Sequence, residues 1–457
     1  MSSAVAPARS LAFATVRATF EDGAHTERAF RDGADRLHIA GRERAQAQRL
    51  AYGAVQRRGT TDAAIERLAG RSTRLLDPPV LAALRLGLYE LLFADGTPDH
   101  AAVDQAVELV KGAGAGHAAG FANAVLRRAG REREQLTAAL LEDDSTPAAA
   151  AIAHSVPEWL ARMWWEELGA EAACPVLAAC NEPAEVALRA DAGRDAALAK
   201  LREAGVEVAP PAAEWPLAAA EEIVVSGRTG DTVPALVAAG ELTPQSRGSA
   251  AVVEVLDPQP GEHLLDLCAG PGIKTGQIAA RMGERGEVIS IELDPARAAE
   301  IVDQAWRLDL RGVTVFETDA TALAQMPAEF DRVLLDAPCS DLGALASRPD
   351  ARWRKSPKTI ERLAGVQAQA LRAAARVLRP GGTMVYATCT ISRRENEDQV
   401  SGLLARAGTD GVPALKLDDL GALAPALASQ HEPCCLQLRP DRDRTTGFFI
   451  ARLVRDD

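Results

Sequence analysis

The stretch that decides the fold reads Leu264-Leu265-Asp266-Leu267-Cys268-Ala269-Gly270-Pro271-Gly272-Ile273-Lys274-Thr275. An apolar run is followed by a short loop of small residues and then by the start of a helical pattern. Small residues let the backbone approach a ligand closely, and free amides at a helix N-terminus attract an anionic group. An ordinary tight turn between a strand and a helix would give the same pattern. The stretch therefore predicts a strand, a loop and a helix, with the loop as a candidate ligand site.

The residues that follow extend this unit into a repeating pattern. Apolar, strand-like runs occupy residues 263–267, 288–291, 313–317, 332–335 and 383–386. Helical patterns occupy residues 274–282, 295–307, 356–378 and 394–407. Alternating strands and helices are typical of a doubly wound parallel sheet, which binds its ligand at the carboxyl ends of the strands. The sequence therefore predicts an α/β, Rossmann-like domain over residues 246–457.

Three successive strands of this predicted sheet end in a carboxylate, namely Glu292, Asp319 and Asp336. An acid at the end of the second strand can accept hydrogen bonds from the hydroxyls of a ribose. The stretch contains no Walker loop for a polyphosphate. The pattern therefore favours a nucleoside cofactor without a polyphosphate over a nucleoside triphosphate.

Two cysteines follow neighbouring strands of the same sheet. Cys339 lies in Asp336-Ala337-Pro338-Cys339-Ser340, and Cys389 lies in Tyr386-Ala387-Thr388-Cys389-Thr390. A cysteine alone is most often a small buried apolar residue, which is our interpretation of Cys174, Cys180, Cys268, Cys434 and Cys435. Two cysteines at matching strand ends, on the edge that binds the cofactor, instead indicate catalysis.

The N-terminal third has a different, wholly helical pattern. Val80, Leu84, Leu88 and Leu91 form an apolar stripe at helical spacing, and a Pro-Pro pair precedes it, as at many helix starts. We therefore predict an all-α domain over residues 1–145. Residues 146–245 are predicted to form a helical linker and a small α+β module, because short strand-like runs at 186–189, 206–208 and 223–225 flank a helical pattern.

The composition sets the wider limits. A chain of 457 residues predicts two to four domains at roughly 100–200 residues each. The net charge of −13 speaks against a protein that coats nucleic acid, although residues 1–150 carry no net charge. With seven histidines, seven cysteines and no CxxC pair, we expect no metal site. The chain shows neither a signal peptide nor an apolar run long enough for a membrane span, so we expect a cytoplasmic protein.

Together these motifs resemble the Sun/Fmu (RsmB) family of 16S ribosomal RNA cytosine-C5 methyltransferases. The resemblance is carried by the Gly-Pro loop, by Asp336-Ala-Pro-Cys-Ser340, by Thr388-Cys389 and by Gly447-Phe448-Phe449. Residues 8–130 are similar to a NusB-type RNA-binding domain through the runs at 84–92 and 121–128. The resemblance thus covers nearly the whole chain and implies a class I methyltransferase domain.

The resemblance also implies the roles of individual residues. Cys389 would be the thiolate that adds to carbon 6 of cytosine, and Cys339 would help to remove the carbon 5 proton and release the enzyme. Asp336 would bind the N3/N4 edge of the base, and Lys274 would support the base site. S-adenosyl-L-methionine would be bound by the following residues: Cys268, Ala269, Gly270, Pro271, Gly272, Ile273, Lys274, Glu292, Asp319 and Asp336.

A basic run follows the first of the two cysteines. We predict RNA contacts from Arg348, Arg352, Trp353, Arg354 and Lys355, with the indole as a stacking surface. A solvated charged loop would have the same composition. The partner expected from the resemblance is small-subunit ribosomal RNA, bound by a monomer without metal and without a membrane.

Several residues depart from the family pattern. Asp341 stands where a small Gly is usual, Ile273 replaces a loop Gly, Ser246 stands where Asp is usual, and Ala346 and Ser347 occupy positions that are often Arg. These departures keep two alternatives open. A paralogue could methylate another RNA, a peptide or a small molecule, and methyl transfer to stripped small-subunit RNA would distinguish it. A non-enzymatic assembly factor could retain only RNA binding, which a lack of cofactor binding would indicate.

Overall fold

The protein is described here by a computed structural model, which covers residues 5–209, 215–227, 229–283, 285–321, 323 and 329–456. The chain forms two compact units. The first unit comprises Met1–Glu182 and Leu345–Lys355, and the second comprises Pro183–Ala344 and Ser356–Asp457. The first unit is therefore discontinuous in sequence, because the short segment Leu345–Lys355 belongs to it although the residues on both sides of that segment belong to the second unit.

The first unit is helical, as the sequence predicts for its N-terminal part. Its helices are α1 (Pro7–Glu21), α2 (Thr26–Arg36), α3 (Gly41–Gln56), α4 (Arg58–Ala69), α5 (Pro78–Phe93), α6 (Asp99–Gly112), α7 (Ala119–Arg131), α8 (Arg133–Leu141), α9 (Pro147–Ala153), α10 (Glu158–Leu168) and α11 (Ala170–Ala179). The late segment adds a short helical turn, Ala351–Arg354. The predicted division at residues 145 and 245 remains a prediction; in the structure α9 to α11 belong to the helical unit.

Helix α5 forms the centre of the helical unit. It starts at a Pro-Pro pair, whose fixed φ suits the first helical turn. Its apolar side chains are buried on most sides and pack against α1, α3, α6 and α7. One acid lies within this core: Glu90 is 3% exposed and accepts a two-pronged hydrogen bond from Arg9, with Nη2 2.6 Å from Oε2.

The second unit begins with a small antiparallel sheet. Its strands are β1 (Val186–Ala190), β2 (Glu207–Val208), β3 (Glu222–Ser226) and β4 (Leu242–Pro244), in the spatial order β2-β3-β1-β4. Helices α12 (Arg194–Glu203) and α13 (Thr232–Ala238) supply apolar side chains to its core. This is the α+β module that the sequence predicts, with β4 added.

The large sheet is mostly parallel, as the sequence predicts for a Rossmann-like domain. Its strands are β5 (His263–Leu267), β6 (Glu287–Glu292), β7 (Val313–Glu317), β8 (Phe330–Asp336), β9 (Leu378–Thr388), β10 (Leu415–Leu417), β11 (Leu436–Gln437) and β12 (Phe449–Arg455). The order is β10-β12-β9-β8-β5-β6-β7, with β11 paired to β12. Strands β5 to β9 are parallel, whereas β12 lies antiparallel to β9.

Helices cover both faces of this sheet. They are α14 (Arg247–Leu256), α15 (Ile273–Met282), α16 (Pro295–Arg307), α17 (Pro357–Val377), α18 (Glu397–Leu404), α19 (Leu420–Leu423) and α20 (Pro440–Asp443). Alternate residues of β5 point to opposite faces: Leu265 packs in the core with α17 and α18, and Leu264 packs with α14 and α15. The chain runs from β5 outward to β7 and then returns to β8 on the other side of β5. This reversal opens a crevice at the carboxyl ends of β5 and β8, where such sheets bind ligands.

Two predictions of local structure need correction. The predicted helix over 394–407 is a 3-10 turn at Arg393–Glu395 followed by α18, because Asn396 has φ −112° and ψ −99°, outside the helical region. The predicted strand at 383–386 is part of the longer β9, and strands β10 to β12 were not predicted. Among the described helices, none has both the length and the apolar character to span a bilayer.

Candidate active site

The sheet brings the two predicted catalytic cysteines together. Cys339 follows β8 and Cys389 follows β9, and these strands are parallel neighbours. Their sulfur atoms lie 3.3 Å apart, within hydrogen-bond distance for thiols. Cys339 is 8% exposed, whereas Cys389 is partly exposed. Of the two, Cys389 is therefore the thiol that an incoming substrate can reach more easily.

The surroundings of Cys339 favour its protonated form. The hydrogen bond with Cys389 and burial raise the pKa of the Cys339 thiol well above its usual range. The nearby Asp341 and Glu395 act in the same direction, because negative charge disfavours a thiolate. Cys339 can therefore hold a proton beside the sulfur of Cys389 at neutral pH.

Asp341 extends this pair to a group of three. Its Oδ1 lies 3.3 Å from the Cys389 sulfur, which donates to it. Its backbone has φ +58°, the left-handed conformation that Gly adopts most readily and Asp tolerates. The residue that departs from the family pattern is thus in direct contact with the predicted nucleophile.

The loops that carry the two cysteines are joined through main-chain contacts. Gly343 N–H donates to the carbonyl of Cys389 at 3.0 Å, and Gly447 N–H donates to the carbonyl of Gly343 at 2.9 Å. A Cβ atom at Gly343 would overlap with the carbonyl of Gly447 and lie 2.9 Å from that of Cys389. The close approach of the three segments therefore depends on the missing side chain at Gly343.

Lys274 and Asp336 form a salt bridge on the same edge. Lys274 Nζ donates to Asp336 Oδ2 at 2.6 Å and lies 5.1 Å from the ring centroid of Phe448. Lys274 is 9% exposed, because α15 starts directly beneath the Gly-Pro loop and directs this side chain inward. Asp336, at the end of β8, is half-buried. Two residues with separate predicted roles thus act as one charged pair.

The Gly-Pro loop wraps around Glu292. The Gly270 N–H donates to Glu292 Oε2 and the Asp294 N–H donates to Oε1, each at 2.9 Å. A Cβ atom at Gly270 would lie 2.5 Å from Glu292 Oε2 and 2.7 Å from Arg297 Cβ. Each carboxylate oxygen can accept a second hydrogen bond, so Glu292 keeps lone pairs for a ligand.

A second carboxylate stands at the end of the neighbouring strand β7. Asp319 is exposed, and its Oδ1 accepts from the N–H and the hydroxyl of Thr321, each at 2.7 Å. The backbone and side-chain hydrogen bonds from Thr321 lower the pKa of Asp319. A small-residue loop after β5, with acids after the next two strands β6 and β7, fits a nucleoside cofactor with hydroxyl and amino donors.

A buried acid lies below the loop. Asp266 on β5 is fully buried, and its Oδ2 accepts from Thr275 Oγ1 at 2.6 Å. Its Oδ1 has no hydrogen-bond partner among the described residues. Burial raises the pKa of Asp266 to about 7, and the negative charge of Asp336 adds to the shift. Asp266 anchors the first turn of α15 from beneath.

Glu395 is a functional candidate that sequence reasoning missed. It is fully buried, and its carboxylate accepts from Ser340 N at 2.9 Å, from Ser340 Oγ at 2.5 Å and from Gln367 Nε2 at 3.1 Å. Ser340 is the residue after Cys339, so these hydrogen bonds fix the loop of that thiol. The sequence feature that could have indicated this role is the position of Glu395 shortly after Cys389, at the same edge of the sheet.

Asn396 holds the loop of Cys389 in the same way. Its Oδ1 accepts from Thr388 Oγ1 at 2.6 Å, and its Nδ2 donates to the carbonyl of Thr390 at 3.1 Å. Both partners are direct neighbours of Cys389. The non-helical backbone at Asn396 therefore places two consecutive polar residues so that each fixes one cysteine loop.

The basic run after Cys339 needs a correction within the first unit. Arg352 is fully buried and donates to the carbonyls of Ser155, Cys180 and Leu345 at 2.8–3.1 Å. Burial lowers the pKa of Arg352 to about 10. A guanidinium with no exposed surface cannot bind a phosphate, so the prediction of an RNA contact by Arg352 is wrong.

Trp353 has a structural role as well. Its Nε1 donates to the carbonyl of Val55 at 2.7 Å, and Arg58 lies 5.1 Å from its ring centroid. The ring packs against the helical core but is only half-buried, so its role as a stacking surface for RNA stays a prediction. Arg348 and Arg354 are exposed and Lys355 is half-buried, so their RNA contacts remain predictions.

Comparison with known proteins identifies both parts of the chain. Residues 253–454 match the family described as 16S rRNA methyltransferase RsmB/F, and residues 6–131 match the NusB family. The chain is 33% identical to a probable ribosomal RNA small subunit methyltransferase B of Synechocystis sp., over 87% of this chain and 89% of that protein. It is 36% identical to a putative methyltransferase of Mycobacterium tuberculosis, over 98% of this chain and 96% of that protein.

A solved structure has the same architecture. The crystal structure of PH0851 matches with a TM-score of 0.80 and 24% identity, and covers 99% of this chain and 100% of that one. At this identity the similarity concerns the fold. It agrees with the helical N-terminal domain and the methyltransferase sheet described above.

Proposed function

Because the chain belongs to the RsmB/F family of S-adenosylmethionine-dependent ribosomal RNA methyltransferases, we propose that it methylates carbon 5 of a cytosine in 16S ribosomal RNA through a covalent adduct on Cys389. The observation that carries the proposal is the 3.3 Å approach of two thiols at adjacent strand ends. Methylation at carbon 5 needs a group that activates the ring and a group that handles the carbon 5 proton. Two neighbouring thiols of unequal exposure can supply these two groups, the more exposed one as the group that activates the ring.

Cys389 is the proposed nucleophile because it is the more exposed thiol. Its sulfur forms a bond to carbon 6 of cytosine, and the electrons of the 5,6 double bond make carbon 5 nucleophilic. S-adenosylmethionine would supply the methyl group to carbon 5, and its sulfonium S–CH3 bond would break to leave S-adenosylhomocysteine. The carbon 5 proton then passes to the thiolate of Cys339, the electrons of that C–H bond restore the 5,6 double bond, and the bond between carbon 6 and sulfur breaks, so that Cys389 leaves as a thiolate.

Cys339 is proposed to serve the proton transfer. Its own proton first passes to solvent, and because its pKa is raised, the resulting thiolate is a strong base that can accept the carbon 5 proton of the adduct. Its position beside Cys389 is held by Glu395 through Ser340. A variant without Cys339 should therefore stall with the RNA attached.

Asp336 and Lys274 are proposed to select the base. Lys274 holds one carboxylate oxygen of Asp336, and the other can accept from the 4-amino group of cytosine. Uracil presents an acceptor at that position and would be repelled. The pair thus favours cytosine over uracil at the site where carbon 6 meets Cys389.

The cofactor is proposed to occupy the crevice at the ends of β5 to β8. Glu292 would accept from ribose hydroxyls, and Asp319 would accept from a further donor of the nucleoside. The loop Cys268–Ile273, with Lys274, would form the floor. The target base must be single-stranded or flipped out to reach Cys389, and Arg348, Arg354 and Lys355 remain our proposed RNA contacts.

The test is methyl transfer from labelled S-adenosylmethionine to unmodified small-subunit RNA. The wild type should label a cytosine, Cys389→Ala should be inactive, and Cys339→Ala should accumulate a covalent RNA adduct on a denaturing gel. Cys434→Ala, which removes a partly exposed thiol outside this site, is the matched control. Label in a base other than cytosine, or full activity of Cys389→Ala, would refute the proposal.

A further inference from the structure

Three metal-binding side chains meet at the candidate active site. One ligand atom each from Cys339, Asp341 and Cys389 lies within 4.8 Å of the other two. We propose that these residues form a site for a thiophilic divalent cation, with Zn²⁺ as the physiological candidate, and that the cation competes with the RNA base for Cys389. The competition rests on the proposed function, whereas the binding does not.

The distances come close to those of a tetrahedral site. With Zn–S near 2.3 Å and Zn–O near 2.1 Å, tetrahedral angles place two sulfur ligands about 3.8 Å apart and sulfur and oxygen about 3.6 Å apart. The observed separations are 3.3 Å between the sulfurs and 3.3 Å between Cys389 Sγ and Asp341 Oδ1. Small side-chain rotations close this gap, and the backbone can stay as it is.

The ligand types determine which cation fits. Thiolates select Zn²⁺ and similar soft ions over Mg²⁺ and Ca²⁺, which prefer sites made of oxygen atoms. Two thiolates and one carboxylate more than compensate the charge of a divalent cation. Three protein ligands leave a fourth tetrahedral position for water, as in zinc sites that exchange ligands. Because Cys389 and Asp341 are partly exposed, a cation can enter without unfolding of the loops.

Asp341 supplies a third ligand that the family pattern does not include. The resemblance places a small Gly at this position in relatives, so the third ligand is an addition. Its left-handed backbone, φ +58°, is the conformation that Gly adopts without strain. Asp341→Gly therefore removes the ligand and leaves the loop conformation favourable, which makes it a variant that should fold.

The consequence concerns the nucleophile. A sulfur that donates its lone pair to a metal ion is not available to attack carbon 6 of cytosine. Zn²⁺ is therefore expected to inhibit methyl transfer reversibly, and a chelator should restore it. The sequence led us to expect no metal site, because these three ligands form no CxxC pair and Cys389 lies far from Cys339 and Asp341 in the chain.

The experiment titrates the reduced full chain with Cd²⁺ and follows the ultraviolet absorption of Cd²⁺–thiolate bonds. The wild type should bind one Cd²⁺ with that absorption, and Zn²⁺ should displace it. Asp341→Gly should weaken binding at least about tenfold, because even partners of metal ligands contribute that much. Cys389→Ala should abolish the site, and Cys434→Ala should bind like the wild type.

Three results would overturn the site: no thiolate absorption in the wild type, unchanged absorption in Cys389→Ala, or equal affinity in Asp341→Gly. Methyl transfer measured in the same samples separates the two proposals. Binding together with inhibition supports both the site and the competition. Binding without inhibition would support the site and overturn the competition, and would also contradict Cys389 as the nucleophile.

Discussion

The buried carboxylate of Glu395 accepts hydrogen bonds from both the main-chain N–H and the hydroxyl of Ser340, at 2.9 and 2.5 Å. Ser340 follows Cys339 directly. A residue that contacts no substrate therefore fixes the loop of the second thiol, and we regard Glu395 as a positioning residue.

Glu395→Ala is expected to lower kcat strongly while cofactor binding stays close to that of the wild type. The variant leaves two buried donors of Ser340 without this acceptor, at about 1–3 kcal/mol each. Methyl transfer and calorimetric titration with S-adenosylmethionine measure the two effects. Glu361→Ala removes an exposed partner of Arg394 and should change neither quantity. Wild-type kcat in Glu395→Ala would contradict the positioning role.

Asp336→Asn is expected to reduce kcat/KM at least about 100-fold, because the variant loses the charged acceptor proposed for the 4-amino group of cytosine. Lys274 would also lose its ionised partner. Transfer to RNA that carries either cytosine or uracil at the target position measures the discrimination. If Asp336→Asn keeps the wild-type preference, base selection lies elsewhere.

Gly343→Ala is expected to destabilise the second unit by about 1–3 kcal/mol, a typical cost of overpacking, since its Cβ would overlap with a main-chain carbonyl. Gly365→Ala on α17 is the matched control. Its Cβ would point into open space, and the helix should gain up to about 1 kcal/mol. Urea unfolding of both variants gives the comparison. Equal stability of the two would show that the loops can separate without cost.

Glu90→Gln is expected to destabilise the helical unit by about 3–5 kcal/mol, because it leaves the Arg9 guanidinium without its buried counter-charge. Glu21→Gln breaks an exposed pair with Arg17 and should cost less than about 1 kcal/mol. Hydrogen exchange of α5 amides reports on this unit separately. Similar protection in both variants would indicate that the pair of Glu90 and Arg9 contributes little to the stability of the helical unit.

Asp266 should make stability depend on pH in a defined direction. Its folded-state pKa of about 7 lies above the ordinary value of 3.8, so the folded chain holds a proton that the unfolded chain has released. The wild type should therefore lose stability relative to Asp266→Asn as pH rises from about 4 to about 7, and the difference should level off above that range. Urea unfolding across this range tests it. Parallel curves for the two proteins would mean that Asp266 titrates normally.

The parallel part of the sheet could be predicted closely because each strand contains an apolar run, and β6, β7 and β8 each end in an acid. Strand β12 escaped prediction because its position between β9 and β10 depends on pairing with distant residues. The break at Asn396 was missed because the sequence around it still has a helical pattern, and its polar contacts to Thr388 and Thr390 override that preference.

The sequence predicts those parts of the site whose positions follow from the strand order of the sheet. Parallel neighbours end on one edge, so the approach of Cys339 and Cys389 follows from their positions after β8 and β9. The burial of Glu395 does not follow, because a charged residue in a polar run is most often solvated. The burial of Arg352 was missed for the same reason. A basic run in the sequence does not show which of its side chains donates hydrogen bonds to buried carbonyls of the helical unit.

The discontinuous first unit has a consequence for biosynthesis. Segment Leu345–Lys355 belongs to this unit, and Arg352 satisfies the carbonyls of Ser155 and Cys180. A chain that is still being translated has those carbonyls but not yet that guanidinium. Domains usually fold in the order in which they emerge from the ribosome. The first unit therefore lacks these hydrogen bonds until residues beyond strand β8 have been made, and a released fragment that ends before Arg352 would leave the two carbonyls without this donor.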